Sequence, residues 1–182
     1  MARLPAVKRE ELAPEHQATY DYIVGSRGRL GGPFRILLYS PAIADLVGKL
    51  GGYIRYESPL DPGLRELAIL TATREADCQY AWTAHHQEAR KAGVPEPIIE
   101  AVRDRKAPTG LPPREATVVR YALELLRKHR VSQQTFNAAM EMLGKASLVD
   151  LTVTVGYYGM MAGVLNAFEV EVDPGVKPLL PV

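Results

Sequence analysis

Apolar residues in this sequence recur every three to four positions, and no run alternates convincingly between apolar and polar residues. The second half gives a clear example, because Val118, Tyr121, Ala122 and Leu125 form one apolar stripe with charged residues between them. A half-buried strand has a period of two, whereas a helix has a period of 3.6. The pattern therefore predicts an all-α chain. Each half is expected to end in a short helix followed by a longer one, which suggests an internal duplication of helical hairpins.

Prolines mark the predicted helix starts. Ser40 and Asp61 each precede a proline, the arrangement of an N-cap followed by proline at the first helical position. These pairs predict helices over about 41–56 and 62–74. Another helix is predicted over about 77–92, because a glycine and a proline closely follow it.

The segment 151–168 contains no charged residue and just reaches the length at which a membrane span has to be considered. It also contains hydroxyl, amide and glycine residues, and its flanks, Asp150 and Glu169, provide no positively charged anchor. We interpret it as a buried helix that a capping box over 147–150 opens. No membrane association is expected.

Charge and composition restrict the expected partners and location. Among the 182 residues, 22 Lys and Arg balance 21 Asp and Glu, which gives no electrostatic reason to expect nucleic acid. Cys78 is the single cysteine, so an intrachain disulfide is impossible. The first eleven residues lack the apolar core of a signal peptide, so a cytoplasmic protein is expected.

Gly159 and Gly163 would let another helix approach closely, which favours a homo-oligomer.

One face of the predicted 77–92 helix is apolar except for a thiol and an imidazole. At 100° per residue this face carries Cys78, Ala81, Trp82, His85, Ala89 and Ala92. The charged residues point elsewhere, so Cys78 and His85 are expected to enter the interior or a lined pocket. Because the two lie roughly 10 Å apart along the axis, no direct hydrogen bond between them is expected. Ala81 lies between them and leaves space for a substrate or a water.

Glu66 lies among apolar residues on the preceding predicted helix. A carboxylate in that setting needs a partner, and His85 is the nearest plausible one in sequence. We therefore predict that Glu66 and His85 meet, directly or through one water, at a pocket with Trp82 on its wall. Trp82 is expected to be a core residue first and a pocket residue second. On the same helix, His86 is expected in solvent, and Tyr80 on the surface or at an interface.

Three of these residues resemble the pattern of the carboxymuconolactone decarboxylase family, which includes the alkylhydroperoxidase D-like proteins. That pattern has a glutamate, a cysteine twelve residues later and a histidine seven residues beyond the cysteine, and Glu66, Cys78 and His85 match it. The run Cys-x-Tyr-x-Trp-x-x-His is similar to the decarboxylase type. The resemblance implies catalytic roles for the three matched residues and makes Tyr80 and Trp82 candidates for substrate binding.

The resemblance extends weakly over about 33–168. It implies an all-α, alkylhydroperoxidase D-like fold that assembles into homo-oligomers and needs no metal or organic cofactor. We expect one domain over 1–182, with an N-terminal helical extension over 1–32 and a C-terminal tail over 169–182.

The sequence departs from the pattern at Ala81, where peroxidase-like members carry a second cysteine. A dithiol cycle within the chain is therefore excluded, and three functions stay open. The first is acid–base decarboxylation of a small carboxylated lactone or similar ring-cleavage product, with His85 as the acid and Glu66 holding its tautomer. The second is a thiol-dependent alkylhydroperoxidase activity through Cys78. The third is a non-catalytic, oligomeric helical binding protein.

Overall fold

The computed structural model describes residues 2–181, and the regular secondary structure within that range is entirely helical. The α-helices are α1 (Pro14–Arg27), α2 (Phe34–Leu37), α3 (Pro41–Tyr56), α4 (Pro62–Glu75), α5 (Gln79–Lys91), α6 (Glu96–Arg103), α7 (Pro113–Lys128) and α8 (Gln133–Ala167). Two short 3₁₀ helices, Arg9–Glu11 and Pro108–Gly110, precede α1 and α7. The predicted all-α class is confirmed.

Proline at the first turn begins several of the helices, as the sequence indicated. The Asp61 side chain accepts a hydrogen bond from the backbone N–H of Leu64 at 3.0 Å, which caps α4. Ser40 precedes α3 as predicted, but its side chain makes no capping hydrogen bond. Proline geometry therefore defines the start of α3 without help from the serine hydroxyl.

The long helix α8 is interrupted at Gly144, which adopts φ 72° and ψ 174°. Glycine occupies positive φ at no steric cost, so the break falls there. The predicted capping box over 147–150 is therefore wrong, because Ser147 lies inside the second part of α8. This helix is long and apolar enough to cross a membrane by length and composition, yet half of its apolar window is buried inside the protein. Packing against α4 and α7 makes it a core helix, as predicted for 151–168. The cytoplasmic location stays a prediction.

Helix α4 lies at the centre and packs against α5, α7 and α8. Leu64 and all residues over 66–74 are buried, so its polar side chains must find partners within the protein. Two of them do so on the helix itself, since the hydroxyls of Thr71 and Thr73 donate to backbone carbonyls one turn earlier. The Glu66 carboxylate has no such local option and needs a partner from another helix.

Helices α3 and α8 each carry a row of exposed apolar positions at seven-residue repeats. The α3–α8 apolar face consists of Ile43, Leu46, Leu50 and Tyr53 on α3, and of Val149, Val153, Gly156, Met160 and Gly163 on α8. The Tyr53 hydroxyl donates to Asp150 at 3.2 Å, so the two rows adjoin. Of the two glycines noted in the sequence, Gly163 is open to solvent, whereas a Cβ at Gly159 would meet Leu126 of α7 at 3.8 Å.

We propose that this face carries the self-association expected from the sequence, and Leu46→Glu tests it. Leu46 is 70% exposed, so a glutamate should cost the folded protomer little, but a charge in a buried apolar contact is costly. We expect the variant to have a lower mass by light scattering at micromolar concentration than the wild type. Gln134→Glu adds the same charge at an exposed position outside the face and should leave the mass unchanged. A monomeric wild type would contradict the proposal.

Candidate functional site

A buried carboxylate–imidazole pair joins α4 to α5. The Nδ1 atom of His85 lies 2.8 Å from Oε2 of Glu66, and both side chains are almost fully buried. This is the direct contact that the sequence predicted. Because an ionised carboxylate can only accept, Nδ1 carries the hydrogen of this bond. The bond fixes the orientation of the ring and leaves Nε2 as the nitrogen available for chemistry.

The surroundings of this pair are polar and aromatic. The Tyr158 ring lies edge-on to the His85 ring, with 4.8 Å between their centroids. On the other side of the pair, the Arg65 Nε lies 3.9 Å from Oε1 of Glu66 and makes no hydrogen bond within residues 2–181. The carboxylate therefore has a histidine and an arginine as its nearest cationic or potentially cationic neighbours.

His85 borders a pocket of about 370 Å³ between α5 and α8. Its aromatic and aliphatic lining includes Tyr80, Ala81, Tyr157, Tyr158, Met161 and Leu165. Part of its border comes from two segments near the chain ends, residues 29–33 and 172–176, which we call the terminal wall. The pocket is therefore assembled from parts of the chain that are distant in sequence.

Two adjacent tyrosines of α8 differ in how their hydroxyl groups are used. The Tyr157 hydroxyl donates to the backbone carbonyl of Val47 at 3.1 Å, whereas the Tyr158 hydroxyl makes no hydrogen bond within residues 2–181. Burial raises the pKa of Tyr157 to about 12 and that of Tyr158 further still. Both phenols stay protonated at neutral pH, so Tyr158 presents an unused donor beside His85.

Ion pairs hold the terminal wall together. The Asp173 carboxylate accepts from Arg35 at 2.5 Å and forms a second ion pair with Arg29. Burial alone would raise the pKa of Asp173, but the hydrogen bonds from the two arginines outweigh it and lower the pKa. The two segments of the wall are thus tied to each other through a single carboxylate.

Tyr80 lies against the terminal wall and is buried, so its predicted surface position is wrong. Its hydroxyl accepts a hydrogen bond from the backbone N–H of Gly32 at 2.8 Å. Gly32 has φ +51°, and a Cβ there would lie 2.8 Å from the tyrosine ring, so only glycine fits. The predicted apolar face of this helix does not include Tyr80, and a helical wheel could not show that a segment from the N-terminal region covers the other side. Tyr80 lines the pocket, and its role in substrate binding stays a prediction from the resemblance.

Cys78 is fully buried at the N-cap position of α5 and packs in an apolar cluster with Ile36, Ala162 and Leu165. Burial raises the pKa of its thiol, although hydrogen bonding from the first backbone N–H groups of α5 acts in the opposite direction. Cys78 is not among the pocket-lining residues, whereas Ala81, one turn later, is. The position that faces the pocket therefore carries a methyl group instead of a thiol.

Trp82 is fully buried in the core, on the side of α5 away from the pocket. It belongs to an apolar cluster with Leu67 and Leu70 of α4 and Ile99 of α6. Its expected secondary role on the pocket wall is wrong, because α4 and α6 enclose that side of the helix. His86 is only partly exposed and interacts with Glu96 at 3.1 Å.

Arg55, at the end of α3, also lines the pocket and was missed by the sequence analysis. Its guanidinium lies over the ring of Tyr56, 5.4 Å from the centroid. Burial acts to lower its pKa, but Coulombic interactions with neighbouring tyrosines and glutamates raise the pKa overall. The guanidinium therefore stays charged. A signal was present in the sequence, since this arginine directly follows the buried Ile54 of an amphipathic helix.

Within residues 2–181, no group of three or more His, Cys, Asp or Glu side chains is arranged to hold a metal ion. Chemistry without a metal or an organic cofactor stays a prediction from the resemblance.

Comparison with known proteins gives one family and several related folds. Residues 41–124 match the model of the carboxymuconolactone decarboxylase family. No curated protein matches the chain. A solved structure described as an alkylhydroperoxidase AhpD core, an uncharacterised peroxidase-related protein from Ralstonia eutropha JMP134, superposes with a TM-score of 0.77 at 18% identity, covering 98% of each chain.

Two further structures have the same fold. The debrominase Bmp8 superposes with a TM-score of 0.74 at 13% identity, covering 93% of this chain and 91% of the debrominase. A peroxidase-related protein from Silicibacter sp. TM1040 superposes with a TM-score of 0.74 at 16% identity, covering 94% and 93% of the two chains. At these identities the likeness establishes an AhpD-like fold, as the sequence predicted.

Proposed function

We propose that this chain is a member of the carboxymuconolactone decarboxylase family, whose model matches residues 41–124, and that it catalyses acid–base decarboxylation of a small carboxylated lactone or similar ring-cleavage product. His85 is the general acid in this proposal, and Glu66 is its positioning residue. No metal or organic cofactor takes part.

One observation carries the proposal. The bond from His85 Nδ1 to Glu66 leaves the other ring nitrogen to the pocket, while the single thiol of the chain is buried outside it. A proton donor is therefore available where a ligand would bind, and a nucleophilic sulfur is not.

The reaction balances with the residues at the pocket. The bond between the substrate ring and its carboxylate carbon breaks, carbon dioxide leaves, and the electron pair stays on the ring as an enolate. The Tyr158 hydroxyl donates a hydrogen bond to the enolate oxygen, which stabilises the developing charge. Protonated His85 then transfers its Nε2 proton to the ring carbon, and water restores that proton in the next cycle.

Pocket shape and polarity also support a small ring compound as substrate. A second structure of the debrominase, a cysteine-to-alanine variant, contains 2,3,4-tribromopyrrole, so that protein accommodates a five-membered ring. In this chain tyrosine and aliphatic side chains line part of the pocket, and electrostatic interactions with the transition state are stronger beside such a lining than in bulk water.

The thiol alternative is less well supported. Attack on a peroxide requires a thiolate, and burial raises the pKa of Cys78. A peroxide in the pocket would meet the methyl group of Ala81 before it met the sulfur.

We expect the purified protein to release carbon dioxide from members of a panel of carboxylated γ-lactones. In deuterated water, the product should gain one deuterium at the carbon that lost the carboxylate. Peroxide consumption with dithiothreitol, measured in parallel, should equal that of the Cys78→Ala variant. Rapid peroxide consumption that this variant loses would reverse the proposal, and inactivity in both assays would favour the binding protein.

A further inference from the structure

The terminal wall lies where the pocket meets solvent. Arg29 and Val176 line the pocket, one from each segment of the wall, and both are also exposed at the surface. A residue that borders a cavity and is also exposed lies at the mouth of that cavity. The contacts that hold the two segments in place therefore also determine how wide the mouth is.

Each segment is fixed to the beginning of α5 by buried contacts. The N-terminal segment is fixed where the backbone N–H of Gly32 donates to the Tyr80 hydroxyl at 2.8 Å. In the C-terminal region, the backbone N–H of Leu180 donates to the side-chain oxygen of Gln79 at 2.9 Å. Leu180 is also buried in an apolar core cluster. Loss of either contact would expose apolar surface or leave a buried polar group without a partner, which is costly.

The stretch before Leu180 is much less firmly held. Among residues 172–178, only Asp173 forms a hydrogen bond or ion pair with another segment of the described chain. One further hydrogen bond is local, from the Val176 N–H to the Asp173 carbonyl at 3.0 Å. Neither valine of this stretch belongs to a core cluster. Residues 172–178 therefore form a strap that is fixed beyond its C-terminal end and tied at Asp173.

The contact at Asp173 is the one that breaks most easily. Of its two arginine partners, Arg29 has a side chain that is 61% exposed and Arg35 one that is 29% exposed. Water and salt screen ion pairs at such positions, so these pairs are weaker than the buried contacts on α5. Their loss would separate the strap from the N-terminal segment while Gly32 and Leu180 keep their positions.

We propose that the strap over 172–178 controls entry to the pocket and that the Asp173 ion pairs hold it closed. With both pairs formed, the strap lies against residues 29–33 and narrows the mouth. With both broken, it moves outward on its fixed end and small molecules enter. The strap acts on entry and not on the reaction, so this inference goes beyond the proposed function and holds for any chemistry in the pocket.

A thiol inside the pocket reports the opening. Ala81 lines the pocket, so Ala81→Cys in a Cys78→Ala background places the single sulfur of the chain there. The probe is methyl methanethiosulfonate, which is small and neutral and forms a disulfide with an accessible thiol. Mass spectrometry of timed samples gives the labelling rate of this reporter protein.

Asp173→Asn should raise the labelling rate of the reporter roughly 2- to 30-fold, the range for loss of two partly exposed ion pairs. Raising the ionic strength from about 0.01 M to about 1 M should accelerate labelling when Asp173 is present and have little effect in Asp173→Asn. Arg29→Gln and Arg35→Gln each remove one pair. Each should give a smaller increase alone and add little to Asp173→Asn.

Glu169→Gln is the matched control. It removes an acidic side chain of the same terminal region that pairs with Arg3 at 2.7 Å, outside the pocket. The reporter with this change should be labelled at the unmodified reporter's rate. Equal acceleration by Glu169→Gln and Asp173→Asn would contradict a specific role of the Asp173 pairs.

The native thiol separates opening of the strap from loss of the fold. Cys78 is fully buried outside the pocket, so its labelling in the chain without the reporter changes requires a larger unfolding event. Asp173→Asn should leave the labelling rate of Cys78 unchanged. A reporter rate that neither Asp173→Asn nor salt alters, or an equal acceleration at Cys78, would overturn the inference.

Discussion

Replacement of His85 by glutamine is expected to lower the rate of carbon dioxide release by about 10²- to 10⁴-fold, the usual contribution of general acid catalysis. Glutamine keeps an amide near Glu66 but cannot transfer a proton to carbon. Initial rates on a carboxylated lactone that the wild type turns over measure the effect. Substrate binding should change much less than turnover, because in the proposed mechanism the imidazole supplies the proton and does not hold the substrate.

Two further variants separate the roles within the site. Glu66→Gln should lower turnover by roughly 10- to 100-fold, the range for losing a group that orients a functional histidine. In the His85→Gln background the same change should cost little more, because Glu66 acts through the imidazole. Cys78→Ala should retain turnover within a few-fold, since the thiol lies outside the pocket. Loss of turnover in Cys78→Ala, with His85→Gln active, would contradict this assignment.

Replacement of Trp82 by alanine is expected to lower the free energy of unfolding by about 3–5 kcal/mol, as for other buried large aromatic residues. The indole lies in a cluster with Leu67 and Leu70 of the central helix and has no exposed surface. Urea denaturation followed by circular dichroism measures the loss. Because the indole N–H is buried without a hydrogen bond within residues 2–181, Trp82→Phe removes volume only and should cost less.

An unchanged free energy of unfolding in Trp82→Ala would contradict the core assignment and favour a role of Trp82 at the pocket. If Trp82→Ala kept wild-type stability but lost carbon dioxide release, Trp82 would contribute to the pocket and not to the core. Tyr80→Phe offers a comparison on the pocket side of α5, where the hydroxyl lost is the acceptor for Gly32.

Local rules were sufficient for most helix starts and for the Glu66–His85 contact. Proline after a capping residue located the start of α4, and burial of Glu66 in an apolar helix demanded a partner that α5 could supply. Both inferences need only one helix or two consecutive ones.

The errors arose where a distant segment decides the environment. A helical wheel gives the direction of a side chain but not what lies there, so it could not place Tyr80 under a segment near Gly32 or Trp82 against α6. Arg55 was missed for the same reason, since only the folded chain brings the end of α3 to the pocket. Likewise, α8 breaks at Gly144 because glycine adopts a positive φ without steric cost. This local preference, and not the capping box predicted over 147–150, decides where the second part of the helix begins.

The terminal wall lies outside residues 41–124, whereas Glu66 and His85 lie inside that range. The Glu66–His85 pair and part of the pocket wall are therefore encoded in separate stretches of the gene. Changes in 29–33 or 172–176 can alter the pocket wall while Glu66 and His85 stay in place. New pocket walls can therefore arise by substitution in these two segments. Because Asp173 forms ion pairs with Arg29 and Arg35, a substitution of Asp173 would also affect the N-terminal segment.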